Sequence, residues 1–209
     1  MKLLLLGATG SLGRHLAAQA LSRGYEVTAL VRNPLKLPVS DPHPRLIVGD
    51  ALNPATLNEA VQGQDAVIFS LGRPDHRKPT TLFSDATRIL IRAMETHGVR
   101  RLVCVTGIGA GDSKGHGGFL YDRIVLPLIT RETYIDKDLQ EELIRASSLD
   151  WVIVRPESFT NGPLHGNLRA VTDLRGVTIR SISRADAAAF VLDQLAGSRY
   201  LRQSPLIGY

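Results

Sequence analysis

Only one cysteine, Cys104, occurs in the 209 residues, so they cannot close an internal disulfide, and its place in Arg101-Leu102-Val103-Cys104-Val105 makes it an inert core side chain. Long apolar runs are missing as well. Nothing approaches the roughly 20 residues that span a bilayer, and the four leucines near the start are too few for the apolar region of a secretory signal. No membrane partner is expected, and the expected location is cytoplasmic. There is no Pro/Gly/Ser-rich linker, charge block, internal repeat or low-complexity segment, so residues 1–209 are expected to form a single domain. Aromatic residues make up only 5% of the chain, and the 20 arginines and five lysines that outweigh 20 acids, for a net charge of +5, are scattered without aromatic interleaving. That pattern argues against a nucleic-acid surface and suits a small polyanionic ligand. No metal site is expected.

What the chain does have is 44% apolar residues, enough for a substantial core, arranged as short apolar runs between helical patterns. Strands are expected near Lys2–Leu6, Glu26–Val31, Arg45–Val48, Ala66–Ser70, Arg101–Val105 and Trp151–Val154, with a late one near Pro205–Ile207. Helices fit between them. Leu12–Arg23 stops at Gly24, Asn53-Pro54 reads as an N-cap with proline in the first helical position, and Ser84–Thr96 stops before Gly98. Ser183-Arg184-Ala185-Asp186 resembles a capping box that opens the last helix. The alternation predicts an α/β fold: a doubly wound parallel sheet with helices on both faces, its ligand edge at the carboxyl ends of the strands.

The first strand runs into Gly7-Ala8-Thr9-Gly10-Ser11-Leu12-Gly13 and then a helix. Strand, glycine turn and helix make a phosphate cradle, with the helix amides and positive dipole end facing the anion. The G-x-x-G-x-x-G spacing is one residue longer than the common dinucleotide motif in its first interval. At the end of the second strand, where NAD-selective sites carry a carboxylate for the ribose 2′-OH, the chain reads Val31-Arg32-Asn33. A guanidinium there pairs with a 2′-phosphate through two parallel bonds, which favours NADP(H) over NAD(H). Asp50-Ala51 after the third strand is placed to meet the adenine, although Asp50 could instead cap the turn leading to Asn53. Leu71-Gly72-Arg73 after the fourth strand is placed beneath the ribose and pyrophosphate. The glycine-rich stretch Gly107–Gly118 reads as a mobile loop above the sheet edge and contains His116.

Gly7–Gly13, Val31-Arg32-Asn33, Gly49-Asp50-Ala51, Val105-Thr106-Gly107 and Leu149-Asp150-Trp151-Val152-Ile153-Val154-Arg155-Pro156 together resemble the atypical short-chain dehydrogenase/reductase superfamily, in particular its NmrA-like and biliverdin reductase B/flavin reductase branch. The resemblance runs from residue 1 to about 163. It implies a Rossmann-type domain that binds NADPH through Gly7, Thr9, Gly10, Ser11, Leu12, Gly13, Arg32, Asp50, Ala51, Leu71, Gly72, Arg73, Thr106, Gly107, Lys137 and Pro156. An acceptor site is implied at the loops after about residue 106 and in the region 155–180, bordered by Ser158, Phe159 and His116. The implied acceptors are flavins or similar conjugated aromatics.

The superfamily's Tyr-x-x-x-Lys pair is broken: Lys137 is in place, but Thr133 stands four residues before it and Tyr134 three before it. The implied catalytic set is therefore Lys137, Thr106 and Tyr121, with a flavin's delocalised charge sparing the need for a tyrosine acid. Lys137 in Asp136-Lys137-Asp138-Leu139-Gln140-Glu141-Glu142 could also be one charge on a solvated helix face. Tyr121 either stacks on a bound ring or anchors the glycine loop. A non-catalytic NADP(H)-binding redox sensor is the alternative function, and either a monomer or a homodimer is compatible with the sequence.

Overall fold

The computed structural model describes residues 1–37, 42–119 and 121–209. The first five strands are joined by helices except between the second and third, where the described residues hold a short 3-10 turn, Pro34–Lys36: β1 (Lys2–Leu6), α1 (Ser11–Ser22), β2 (Glu26–Val31), β3 (Arg45–Val48), α2 (Pro54–Val61), β4 (Ala66–Phe69), α3 (Leu82–Thr96) and β5 (Arg101–Val105). A π-helical segment, Tyr121–Thr130, leads into α4 (Arg131–Ala146) and β6 (Asp150–Pro156). Then come β7 (Phe159–Thr160), β8 (Arg169–Val171), β9 (Ile182–Ser183), α5 (Arg184–Asp193) and β10 (Leu206–Gly208). Among the described residues, no helix is long and apolar enough to cross a membrane.

The main sheet has the order β3-β2-β1-β4-β5-β6-β10-β8, parallel throughout except that β8 runs antiparallel to β10. β7 and β9 form a separate parallel pair. A strand covered on both faces must be apolar on both, and Leu3, Leu4, Leu5 and Leu6 are all fully buried. Because side chains alternate, Leu3 and Leu5 pack with α1 and α5, while Leu4 and Leu6 pack with α2 and α3. The order reverses direction between β1 and β4. At such a switch point the two outgoing crossovers leave on opposite faces and a crevice opens at the carboxyl ends of the strands.

Local signals explain the helix boundaries. Asn53 caps α2 by accepting from the amides of Ala55 and Thr56, and Ser183 caps α5 by accepting from Asp186 N. The last helix is not closed by a reciprocal box, however, because the Asp186 carboxylate turns to the amides of His165 and Gly166 and to the Tyr209 hydroxyl. α3 starts two residues before the expected Ser84, because its first turn is capped from outside: Asp136 of α4 accepts from Phe83 N at 2.8 Å and Ser84 N at 3.2 Å. A carboxylate 53 residues downstream of Phe83 leaves no local mark at this boundary.

The reading of Gly107–Gly118 as a mobile loop needs correction over its first half. Residues 107–110 are buried. Ser113 closes the next turn onto Ala110 O, and the Gly111 amide is held by Asp138 at 2.8 Å. Asp138 of α4 pins one end of the segment, and Ile108 anchors the other by packing against Leu174, Ile179 and Leu206.

Candidate functional site

A groove of about 510 Å³ lies at the carboxyl edge, over the switch point. Gly7, Thr9, Gly10 and Ser11 form its floor, Arg32 and Lys36 its far end, Asp50–Leu52 one wall, and Leu71–Pro74 with Leu82 the other. A hollow of about 480 Å³ at the opposite edge, between Tyr25 and Gln64, contains neither the glycine turn nor a helix N-terminus.

The floor is bare backbone for steric reasons. Gly7 sits at φ +93°, and a Cβ there would come within 2.2 Å of Ser70 O. A Cβ on Gly13 would meet Gly7 O at 2.0 Å, so that glycine lets the helix sit on the turn. Gly10, at the N-cap of α1, has no side chain to cap the helix, and the amides of Leu12 and Gly13 find no acceptor among the described residues. An anion in the groove meets unpaired N–H groups and the helix dipole. The Leu12 side chain itself is buried in the core, so its residue can serve a ligand only through its amide.

Arg32 is exposed at the end of β2, next to Lys36 on the groove rim. Arg14 donates to Lys36 O at 3.2 Å, bringing a third cation to that end. Lys36 and Arg14 escaped the sequence reading because neither belongs to the glycine motif; a helical arginine one residue past Gly13 was the available signal. Asp50 lines the groove while its Oδ1 accepts from Leu52 N, so it also caps its own turn. Arg73 lines the wall with its guanidinium on Lys78 O at 2.8 Å.

At the β5 end the chemistry comes from α4, whose inward face is polar: Thr133, Asp136, Gln140 and Glu141 are all buried. The solvated-face reading of Asp136–Glu142 is therefore corrected, since each of these groups has a partner. Lys137 Nζ donates to Thr106 O and lies 5.4 Å from the centre of the Phe83 ring and 5.5 Å from that of Tyr134. Burial presses its ammonium down to about 8, against the pull of Cys104 and Glu141. Thr106 turns its hydroxyl inward to Glu141 Oε1 at 2.7 Å, so only its backbone is left for a ligand. Glu141 also accepts from Arg155 Nε at 3.0 Å and Nη2 at 2.5 Å, and Arg155 Nη1 reaches Asp112 at 2.6 Å.

Tyr121 donates to Ile108 O at 2.8 Å, and burial pushes the Tyr121 and Tyr134 phenols up. This is the loop-anchoring arrangement. Tyr134 is left out of the implied catalytic set because its spacing from Lys137 is three rather than four, yet positions three apart share a helix face. The structure puts its hydroxyl 2.7 Å from where a Gly107 Cβ would be. Thr133, in the position of the missing tyrosine, is hydrogen-bonded to His76.

Pro156 is buried, and its carbonyl accepts from Ile108 N. Ser158, Phe159 and His116 lie outside the groove. Ser158 is exposed with its amide on Glu157, Phe159 is covered by the Arg184 guanidinium at 5.2 Å, and the His116 amide closes a turn onto Ser113 O. Among the described residues no cluster of His, Cys, Asp or Glu could hold a metal ion. Cys104 is fully buried, which pushes its thiol far up.

A glycine-floored groove at the switch point with cations at one end suits a dinucleotide, while Lys137, half-buried, and the Thr106–Gly107 backbone lie at the end of β5 beyond the residues that line it. Residues 7–197 match the family described as NAD(P)H-binding. The chain belongs to that family. This NAD(P)H-binding protein is 27% identical over 219 residues, 100% of its own length, to the photosystem II assembly factor Ycf39 of Guillardia theta, of which it spans 65%. It also superposes on ChuY, described as an anaerobillin reductase of Escherichia coli O157:H7, at TM-score 0.81 and 22% identity, covering 100% of this chain and 97% of that one. A short-chain dehydrogenase/reductase from Veillonella parvula in complex with NADP gives TM-score 0.81 at 18% identity, covering 100% and 94%. At these identities the two superpositions establish a shared Rossmann-type fold.

Proposed function

We propose that the protein is an NADPH-dependent reductase that passes hydride to a flavin or a similar conjugated aromatic acceptor, in the manner of the biliverdin reductase B and flavin reductase branch. The observation that carries this reading is the pairing of an unpaired-amide cradle with Arg32 and Lys36 at the groove's far end, where a carboxylate would repel a 2′-phosphate. The NADP bound to the Veillonella protein and the reductase name of ChuY agree with it. Thr133 in place of tyrosine fits an acceptor whose negative charge delocalises after hydride arrives. In such a site the protein's work is chiefly to hold two rings at reacting distance.

The groove residues fit a nicotinamide dinucleotide. Amides of the α1 first turn would take the pyrophosphate, Arg32 and Lys36 the 2′-phosphate, Asp50 and Ala51 the adenine end, and Lys137 with the Thr106 and Gly107 backbone the nicotinamide end. When bound, the cofactor supplies the hydride. The test is calorimetric titration with NADPH and NADH, followed by NADPH oxidation with FMN or riboflavin. Arg32→Ala is expected to lose about 1–3 kcal/mol of NADPH binding and almost none of NADH binding. An unchanged mutant, or no turnover with flavins, quinones or linear tetrapyrroles despite NADPH binding, removes the proposal.

The likeness to an assembly factor over the whole chain favours one second reading, an NADP(H)-binding regulatory protein without turnover. Binding with no oxidation of NADPH by any acceptor is its signature.

A further inference from the structure

The sequence leaves the groove without the superfamily's tyrosine, yet the residue in its place is not idle. Thr133 lies four positions before Lys137 on α4, hence on the same face one turn away. It is 2% exposed, and its Oγ1 is 3.2 Å from His76 Nδ1 and 3.4 Å from His76 O. His76 belongs to the connection between β4 and α3, whose first residues, Leu71–Pro74, form the groove wall. A threonine hydroxyl has one hydrogen. If it goes to the His76 carbonyl, which can only accept, the ring must donate Nδ1–H to Oγ1. The neutral ring then carries its lone pair on Nε2, and Nε2 has no protein partner among the described residues.

We propose that His76, oriented by Thr133 beside Lys137 and two residues past the groove wall along the chain, is the proton donor that accompanies hydride transfer at this end of the site. The proposal rests on the reductase reading above. Hydride leaves C4 of the dihydronicotinamide with its electron pair, so the nicotinamide is oxidised and the acceptor, reduced by two electrons, gains a negative charge. The Nε2–H bond of the imidazolium breaks, its proton passes to the acceptor anion, and the neutral ring recovers a proton from water. Thr133 is a positioning residue: it fixes the tautomer and therefore which nitrogen faces the acceptor.

The charged groups around the ring are Lys137 from α4 and Arg73 and Asp75 from its own connection, while Asp136 is committed to the α3 amides. Burial, then Lys137 and Arg73, press His76 below its usual 6.5, with Asp75 opposing. The acid form therefore grows in as pH falls through that lowered value, and turnover should rise with it.

The experiment uses the full chain with NADPH and FMN, following kcat and KM from about pH 5 to about pH 9 in the wild type, His76→Gln, Thr133→Val and Thr133→Ser. The wild type is expected to gain about tenfold in kcat toward low pH; His76→Gln flattens that rise with KM for NADPH within about twofold, Thr133→Val weakens it, and Thr133→Ser restores it. A second readout needs no nucleotide: long-range proton–nitrogen NMR should show the Nδ1–H tautomer at His76 in the wild type and its loss in Thr133→Val. An unchanged pH profile in His76→Gln, or an Nε2–H tautomer in the wild type, overturns the role of His76 and leaves the reductase reading standing. A wild type that takes up no NADPH overturns the reductase reading, and the His76 role falls with it.

Discussion

Lys137 is the residue on which burial and charge act most visibly. Its ammonium sits under Phe83 and Tyr134 with one carbonyl for a partner, and burial brings it to about 8 from an ordinary 10.5. Between those values the unfolded chain holds more protons than the folded one, so folding stability contributed by this group rises with pH across about 8 to 10.5 and is absent below about 8. Urea denaturation of the wild type and Lys137→Met over that window should show the wild type gaining on the mutant as pH increases. A constant difference would mean that Lys137 titrates normally. The residue scale is also where sequence reading reached furthest and stopped. The backbone demands on Gly7 and Gly13 were legible because a tight turn against a strand tolerates no Cβ, and Arg32 because the end of the second strand has a defined relation to the turn. The partners of Lys137, Thr106 and Tyr121 were not legible. Each is fixed by a group 13 to 35 positions away in the chain, and no periodicity encodes that.

At the scale of elements, the strands were legible because burial on both faces forces unbroken apolar runs, and α2 because Asn53-Pro54 is a cap and a first-turn residue together. α4 was the hard case. Its buried face is Thr133, Asp136, Gln140 and Glu141, so hydrophobic periodicity reads it as solvated when it is the most connected helix in the site. The reason is that α4 packs on polar ends of other elements: it caps α3 through Asp136, meets Thr87 through Gln140, and meets β5 and β6 through Glu141. Asp136→Ala would leave the Phe83 and Ser84 amides buried without an acceptor. The expected loss is about 1–3 kcal/mol of unfolding free energy, the desolvation cost of such groups, measured by chemical denaturation. Asp136→Asn, which keeps one acceptor oxygen, should recover about half of it. Equal losses in the two variants would show that packing rather than capping holds α3 to α4.

For the whole molecule, the sheet reversal between β1 and β4 decides where the groove lies, and a buried ion pair holds the other half of the sheet in register with it. Glu141 and Arg155 are each 1% exposed, and between them they tie α4 to β6, to the Thr106 hydroxyl after β5, and through Asp112 to the glycine-rich turn. Two charges lost their hydration when this pair formed, so its net contribution to stability is small, while the penalty for separating them is large. Glu141→Gln strips the counter-charge from a guanidinium left with only the exposed carboxylate of Asp112, and should cost about 3–5 kcal/mol, lowering the urea midpoint steeply. Replacing both partners, Glu141→Leu with Arg155→Met, removes the uncompensated charge along with the attraction, and stability should return to near that of the wild type. The double variant would still lack the acceptor for the Thr106 hydroxyl. Its turnover should therefore stay below wild type even where its stability does not, because the Thr106 carbonyl that holds Lys137 belongs to the same residue. A double variant as unstable as Glu141→Gln would mean that the pair's geometry, and not the stranded charge, keeps β5, β6 and α4 together.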